Sequence, residues 1–460
     1  VGRGARGGGR PRLSLRQLLK GGLRGIPRGT IMLSVISLVN IVLGFGREGV
    51  TAYFFGTSGS LDAFLVASTL PKLIVTHSTN ITVSIILPLY VGHLEAGRKD
   101  DATALLQRWF RFLAKLMTGF CLVVGLFSPI VVGLIGPGLE GAKKAQAANW
   151  LRELLPYVWI ITLSGCFEVV LNQNRRFFMP AMAGGFLSIG IIASCFLFHG
   201  QMGVTAMVPG YLVGAAAAFG FMWKQNQEYE PKLMTFKELP NHIKLPLAAG
   251  GIMVLNSFAQ QANLIIDRAF ASSLPDGSIA ALNYANAVTA VPQNILSAAI
   301  ATALFPVLAE TVARGAWRQA FRTTVRWAGV CIVVVSLPVA ILAVWRQEIT
   351  ALLFQRGAFT AHATEMTSTA VYVLSFLLLV QGANALVLRL LLAQQQLRLI
   401  LVTTITAVAL KILFNFLLVH RYGLGGVCFS VVASGACVCV FRYIGAGRYS
   451  PPDAPPPPAL

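Results

Sequence analysis

Apolar runs of about 18–25 residues recur along this 460-residue chain, and each is long enough to cross a hydrocarbon core of roughly 30 Å. That pattern excludes almost every water-soluble fold. Composition agrees, with 55% hydrophobic and only 12% charged residues, where soluble domains carry about 25% charged residues. The expectation is an all-α polytopic membrane protein. Its twelve spans fall at about 31–55, 63–92, 109–136, 151–173, 178–199, 202–223, 245–271, 277–309, 323–345, 366–393, 397–419 and 424–446.

The remaining segments are short. Residues 1–29 form a Gly- and Arg-rich arm with eight basic residues and no acid, read as cytoplasmic. It is either a flexible tail or, over 13–25, a basic amphipathic helix on anionic lipid. Residues 224–244 link two halves, 30–223 and 245–446, and a proline-rich tail covers 447–460. Such a tail has no packing capacity.

A net charge of +20 would point to nucleic acid in a soluble protein. In a membrane protein it marks topology, because Lys and Arg collect on cytoplasmic loops. Placing the N-terminus in the cytoplasm puts 25 basic residues on that side and 5 on the other. Both termini are therefore expected inside, with no nucleic acid as partner. The seven cysteines all lie in apolar runs without metal-ligand spacing and read as small packing residues.

The chain repeats itself at an offset of 221, which relates Arg47 to Arg268, Asp62 to Asn283, Pro71 to Pro292 and Glu168 to Arg389. Six spans per copy keep both copies in one orientation. The reading is two six-helix lobes related by a parallel repeat around a central cavity.

Ionisable groups inside apolar spans cost about 2.5–3.5 kcal/mol each to insert, so they mark candidate sites. In span 1, Arg47 and Glu48 follow Gly44-Phe45-Gly46, where glycines permit a kink. Asp62 opens span 2, and Asp267 and Arg268 are adjacent in span 7. Arg47 and Arg268 either face a shared hydrated cavity, where guanidinium groups suit phosphate oxygens, or are neutralised by acids such as Asp62 and Asp267. Glu168, Arg389 and Lys411 form either an ion-coupling site or an internal salt bridge, with snorkelling open to the two bases. Asn80, Asn256, Asn283 and Asn286 are positioned for interhelical hydrogen bonds.

No G-x-x-x-x-G-K-[ST] loop and no H-E-x-x-H pair occurs, and no loop is long enough for an active-site domain. Neither a cofactor nor a metal is expected, and transport is favoured over an enzymatic role.

Three stretches carry a family resemblance: LGFGREGVTAYFFGTSGSLDAFLVASTLPKL, a segment ending ALFPVLAE, and LLFQRGAFTAHAT. The chain resembles the MviN/MurJ lipid II flippases of the multidrug/oligosaccharidyl-lipid/polysaccharide exporter superfamily over about residues 31–446. The resemblance implies a V-shaped two-lobe bundle in the bacterial inner membrane. It would move a polyprenyl-pyrophosphate-linked saccharide to the outer leaflet by alternating access, driven by potential or an ion gradient. Arg47 and Asp62 align with charged positions of the family motif, as substrate or gating residues. Where the family carries cavity arginines this chain has Ile41, Val75 and Ala287, and a family acid appears as Asn80. Those flippases also have fourteen spans. A related glycan, such as an exopolysaccharide unit, is thus a second substrate. A cation-coupled drug or metabolite exporter and a cell-wall scaffold binding envelope-assembly proteins are the other readings.

Overall fold

The computed structural model describes residues 28–230, 233–234, 261–303, 308, 310–312 and 314–449. Residues 1–27 of the basic arm, most of the 224–244 linker, the first part of span 7 with Asn256, and the tail from 450 onward lie outside the described residues.

Every described regular element is helical. The first half contains α1 (Arg28–Phe55), α2 (Gly59–Ala67), α3 (Thr69–Glu95), α4 (Lys99–Leu126), α5 (Ser128–Ile135), α6 (Gly141–Gln173), α7 (Phe178–Ala181), α8 (Ala183–Met202) and α9 (Met207–Asn226). The second half contains α10 (from 261 to 271), α11 (Ser278–Ala303), α12 (Trp317–Val344), α13 (Arg346–Phe354), α14 (Ala361–Ser375), α15 (Leu377–Ala393) and α16 (Leu397–Arg448). Among the described residues, eight segments are long and apolar enough to cross a membrane. Two of these are hairpins: α8 with α9, and α16, which is broken at Gly423 (φ 52°).

Several boundaries differ from the apolar runs, and those of span 3 have a local reason. Span 3 is two helices. α4 ends at Leu126, and α5 restarts with a proline in its first turn, where the missing N–H costs nothing. α4 also begins ten residues before its apolar run, at Lys99, with Asp100 and Asp101 in its first turn complementing the helix dipole. Span 1 does not kink: α1 continues through Gly44, Gly46, Arg47 and Glu48.

The helices pack as two groups. In the first, α6 is the hub, touching α2, α3, α4, α5, α7 and α9, while α8 packs on α1 and α9. The middle of α6 is enclosed by these neighbours, with Leu151, Leu154, Val158, Leu163, Cys166 and Val170 fully buried, as the apolar centre of a core helix is. In the second group α14, α15 and α16 pack on one another and on α11 and α12. Between the groups α11 meets α1 and α2, and α13 meets α1. All seven cysteines are free, and five are buried.

Candidate functional site

Between the two groups lies a cavity of about 340 Å3 formed by α1 and α11. Its polar lining is Asn40, Arg47, Glu48, Asn283, Asn286 and Asn294. Four of the six are carboxamides, which donate and accept hydrogen bonds without charge. Arg47 Nη2 donates to Glu48 Oε1 at 2.7 Å, and Asn283 Nδ2 donates to Glu48 Oε2 at 2.8 Å. Glu48 therefore neutralises the arginine and ties α1 to α11. Ile41 and Ala287 line the same cavity, so two of the positions where the resembled family carries arginines are apolar here. Val75 instead packs against the core.

Beyond one end of this cavity, farther along α1 and toward the start of α11, lies a seam of contacts between the groups. Asp62, on α2, lies in it: Oδ2 accepts from the Gly277 N–H at 2.6 Å and Oδ1 from the Ala280 N–H at 2.7 Å. These are the cap and third positions of α11, the two donors that a capping box satisfies within one helix. Gly277 has no side chain to do it. It also sits at φ 90°, and a Cβ there would meet the Thr57 backbone. The residue that permits this close approach thus leaves its helix uncapped, and a carboxylate from the other group supplies the cap.

Arg268 lies in the same seam and does not line the cavity. Its Nη1 donates to the Leu65 carbonyl and the Thr69 hydroxyl, where α2 gives way to α3. Carbonyls in the last turn of a helix lack backbone donors within it; here the Leu65 carbonyl also accepts from the Ser68 and Thr69 hydroxyls, so donors from both groups gather at this break. Arg47 and Arg268, related by the repeat, therefore face different surroundings. Neighbouring Asp267 turns into its own group and accepts from Lys411 Nζ at 2.8 Å.

Further seam contacts involve two of the three sequence stretches singled out above, those around Tyr53 and Gly357. Ala358 N donates to Tyr53 O at 2.8 Å, and Tyr284 Oη to Gly56 O at 3.0 Å. The buried rings of Tyr284, Phe354 and Phe359 form a triangle with centroids 5.2–5.7 Å apart. Gly357 (φ 59°) brings the loop onto Tyr53, and Thr360 caps α14 by accepting from Ala363 N. At the exposed rim, Lys143 pairs with Asp276 at 2.6 Å.

Other candidates fall elsewhere. Asn286 lines the cavity, whereas Asn80 is exposed on α3 and is not among its lining residues. Glu168 and Arg389 are not brought together: they sit on α6 and α15, which belong to different groups. A shared 221-residue offset in sequence does not by itself bring two side chains into contact. Lys411 pairs with Asp267 rather than with Glu168. Arg442, counted with the cytoplasmic cations on sequence, is inside α16 and buried. Among the described residues no group of three or more His, Cys, Asp or Glu is arranged to hold a metal.

Comparison with known proteins agrees with this architecture. The family model described as lipid II flippase MurJ matches residues 51–451. A probable lipid II flippase MurJ of Buchnera aphidicola is 26% identical over 359 residues, 76% of this chain and 70% of that protein. The lipid II flippase MurJ of Burkholderia cenocepacia is 27% identical over 361 residues, 75% of this chain and 68% of its own. Among solved structures, a lipid II flippase MurJ in an inward closed conformation superposes with a TM-score of 0.77 at 20% identity. It covers 91% of this chain and 87% of that one. An inward-facing MATE family multidrug transporter of the MOP superfamily gives 0.74 at 14% identity, covering 92% and 98%. At these identities the structural likeness speaks for the fold.

Proposed function

The chain belongs to the lipid II flippase MurJ family, and from that premise we propose that it carries lipid II from the inner to the outer leaflet of the bacterial inner membrane by alternating access. It is a transporter, not an enzyme. In this reading the two helix groups are six-span lobes related by the parallel repeat, and both termini are cytoplasmic. The seam is the closed outer gate, and the α1–α11 cavity receives the headgroup. The 25-to-5 bias in basic residues supports the orientation.

The carrying observation is the cavity between the groups, lined by Arg47, Glu48 and four asparagines, with the cross-group contacts of Asp62, Arg268 and Tyr284 beyond one end. Alternating access needs such a site with a closure on one side that can be exchanged for closure on the other. Asp62 and Arg268 act as gating residues, while Arg47, Glu48 and Asn286 contact substrate. The Asp267–Lys411 pair braces the second lobe. Depleting the protein should trap lipid II in the inner leaflet. Normal outer-leaflet lipid II after depletion would overturn the reading.

The apolar Ile41 and Ala287 favour a second substrate in the same mechanism, another polyprenyl-linked glycan. Carboxamides suit sugar hydroxyls, and the one cavity arginine is already paired. Competition between lipid II and an exopolysaccharide precursor for the purified protein separates the two.

A further inference from the structure

The second helix group encloses a cavity of its own, about 530 Å3, between α10, α15 and the two arms of α16. It shares no lining residue with the cavity around Arg47. Its polar wall includes Asn263, Gln381, Asn384, Lys411, Ser434 and Arg442, and leucine, isoleucine and valine side chains supply most of the rest.

Two cations line it, and their charges are met differently. Lys411 is held by the Asp267 carboxylate at 2.8 Å and the Asn263 carbonyl at 3.1 Å. Arg442, only 7% exposed, has neutral partners alone. Its Nε donates to Thr403 Oγ1 at 3.0 Å, Nη1 to Asn384 Oδ1 at 2.9 Å and Nη2 to Thr404 Oγ1 at 3.2 Å. Among the described residues no carboxylate pairs with it. A guanidinium carries five N–H donors, so two remain. Gln381 Oε1, on the same wall, is buried without a partner. Buried charge in an apolar span is costly and is met by a partner or serves a ligand. What is missing here is an anion for Arg442 that also carries a donor for Gln381.

We propose that this cavity is a binding site for a phosphate group, with Arg442 as its cation and Asn384 and Gln381 fixing its orientation. A hydrogenphosphate ion has the charge, the acceptors and the single O–H that these groups require. A phosphodiester with a hydroxylated headgroup has them too, and the aliphatic walls suit its attached chains. Thr404, beside Arg442, and Lys411 are seven residues apart on α16, about 10 Å along the helix. The two cations therefore sit at different depths, and the phosphate occupies the Arg442 end.

The test uses the full chain in phosphatidylcholine nanodiscs, without any transport assay, so its outcome is independent of the flippase reading. One arm titrates inorganic phosphate against chloride at matched ionic strength and follows the thermal midpoint. The other mixes phosphatidylglycerol into the nanodisc and measures lipid retained on the protein by native mass spectrometry. Arg442→Gln removes the cation. Gly435→Leu fills the cavity from α16, where a Cβ would lie 3.5 Å from Leu377 Cδ1, and leaves the Arg442 bonds in place. A saturable response in at least one arm, weakened tenfold or more by both variants and kept by Arg47→Gln, is the expected result. Response to phosphate alone assigns a free oxyanion, and response to phosphatidylglycerol alone assigns a lipid headgroup. No saturation in either arm, a response unchanged in both variants, or one lost with Arg47→Gln overturns the site. If Arg442→Gln fails to fold, Gly435→Leu decides alone.

Discussion

At the scale of single residues, Asp62 and Lys143 both join the two helix groups, yet they differ in weight. Lys143 and Asp276 have side chains 42% and 65% exposed, and exposed pairs contribute about 0–1 kcal/mol. Asp62 is buried and accepts two backbone N–H bonds at an otherwise uncapped helix start. Removing a cap costs about 0.5–2 kcal/mol, and a charged acceptor lies toward the upper end. Asp62→Ala should therefore shift the open–closed equilibrium of the seam by roughly 5–30-fold, the ratio that 1–2 kcal/mol represents. Asp276→Asn should shift it little. Accessibility of a cysteine placed at Ala287, read with a membrane-impermeant thiol reagent, checks both. For Arg268 the reach matters as well as the charge, since its terminal nitrogen Nη1 makes both the carbonyl and the hydroxyl bond. Arg268→Lys should not restore transport to the level of the parent in a complementation assay, because the lysine ammonium ends one bond short of Nη1 on its stem.

At the scale of elements, the α8–α9 hairpin depends on three glycines. A Cβ on Gly190 would lie 2.7 Å from the Gly210 carbonyl oxygen, and one on Gly210 would lie 2.6 Å from the Ile191 Cα. Gly214 is equally tight against Leu187. These are backbone atoms and cannot swing aside, so the helices touch only because the side chains are absent, the small-residue packing that membranes favour. Gly210→Leu should lower the thermal midpoint in detergent sharply. Gly220→Leu, at a site on α9 with nothing within 4 Å, should leave it nearly unchanged. The loop from Gln355 to Thr360 shows the same dependence at the seam. Gly357 holds a positive φ against Tyr53, so Gly357→Ala should loosen this contact while α13 and α14 stay folded. Helix content by circular dichroism, compared with labelling of a cysteine at Ala358, separates the two effects.

At the scale of the whole molecule, the groups touch chiefly through α1, α2, α10, α11 and α13 and the loops beside them, and the cavity lies next to these contacts. A transporter that works by alternating access must break this seam in each cycle. Cysteines replacing Lys143 and Asp276, joined by a short bifunctional maleimide, should stop transport, whereas each single cysteine with the same reagent should not. Unimpaired transport by the cross-linked protein would mean that the seam stays shut throughout. The 221-residue offset in the sequence does not say how the two groups meet. Asp62 and its counterpart Asn283 both reach across the interface, the first to a helix start and the second to Glu48.

Span length, apolar composition and the bias of basic residues were readable in the chain itself, because crossing a bilayer is a local requirement that each segment meets alone. The embedded charges were readable as candidates for the same reason: each carries its own desolvation cost wherever it goes. Their partners were not. Arg268 could face a cavity or a counter-ion on sequence; it binds the broken end of α2. Glu168 and Arg389 share a repeat position and stand in separate bundles. Arg442 counted as a loop cation and is buried beside a cavity. Partnership depends on which helices pack together and at what rotation, a long-range result of packing that no span encodes by itself. The repeated apolar run thus determined that this chain lives in a membrane, and only the tertiary structure decided which embedded charges pair within a group, which reach across to the other group and which line a cavity.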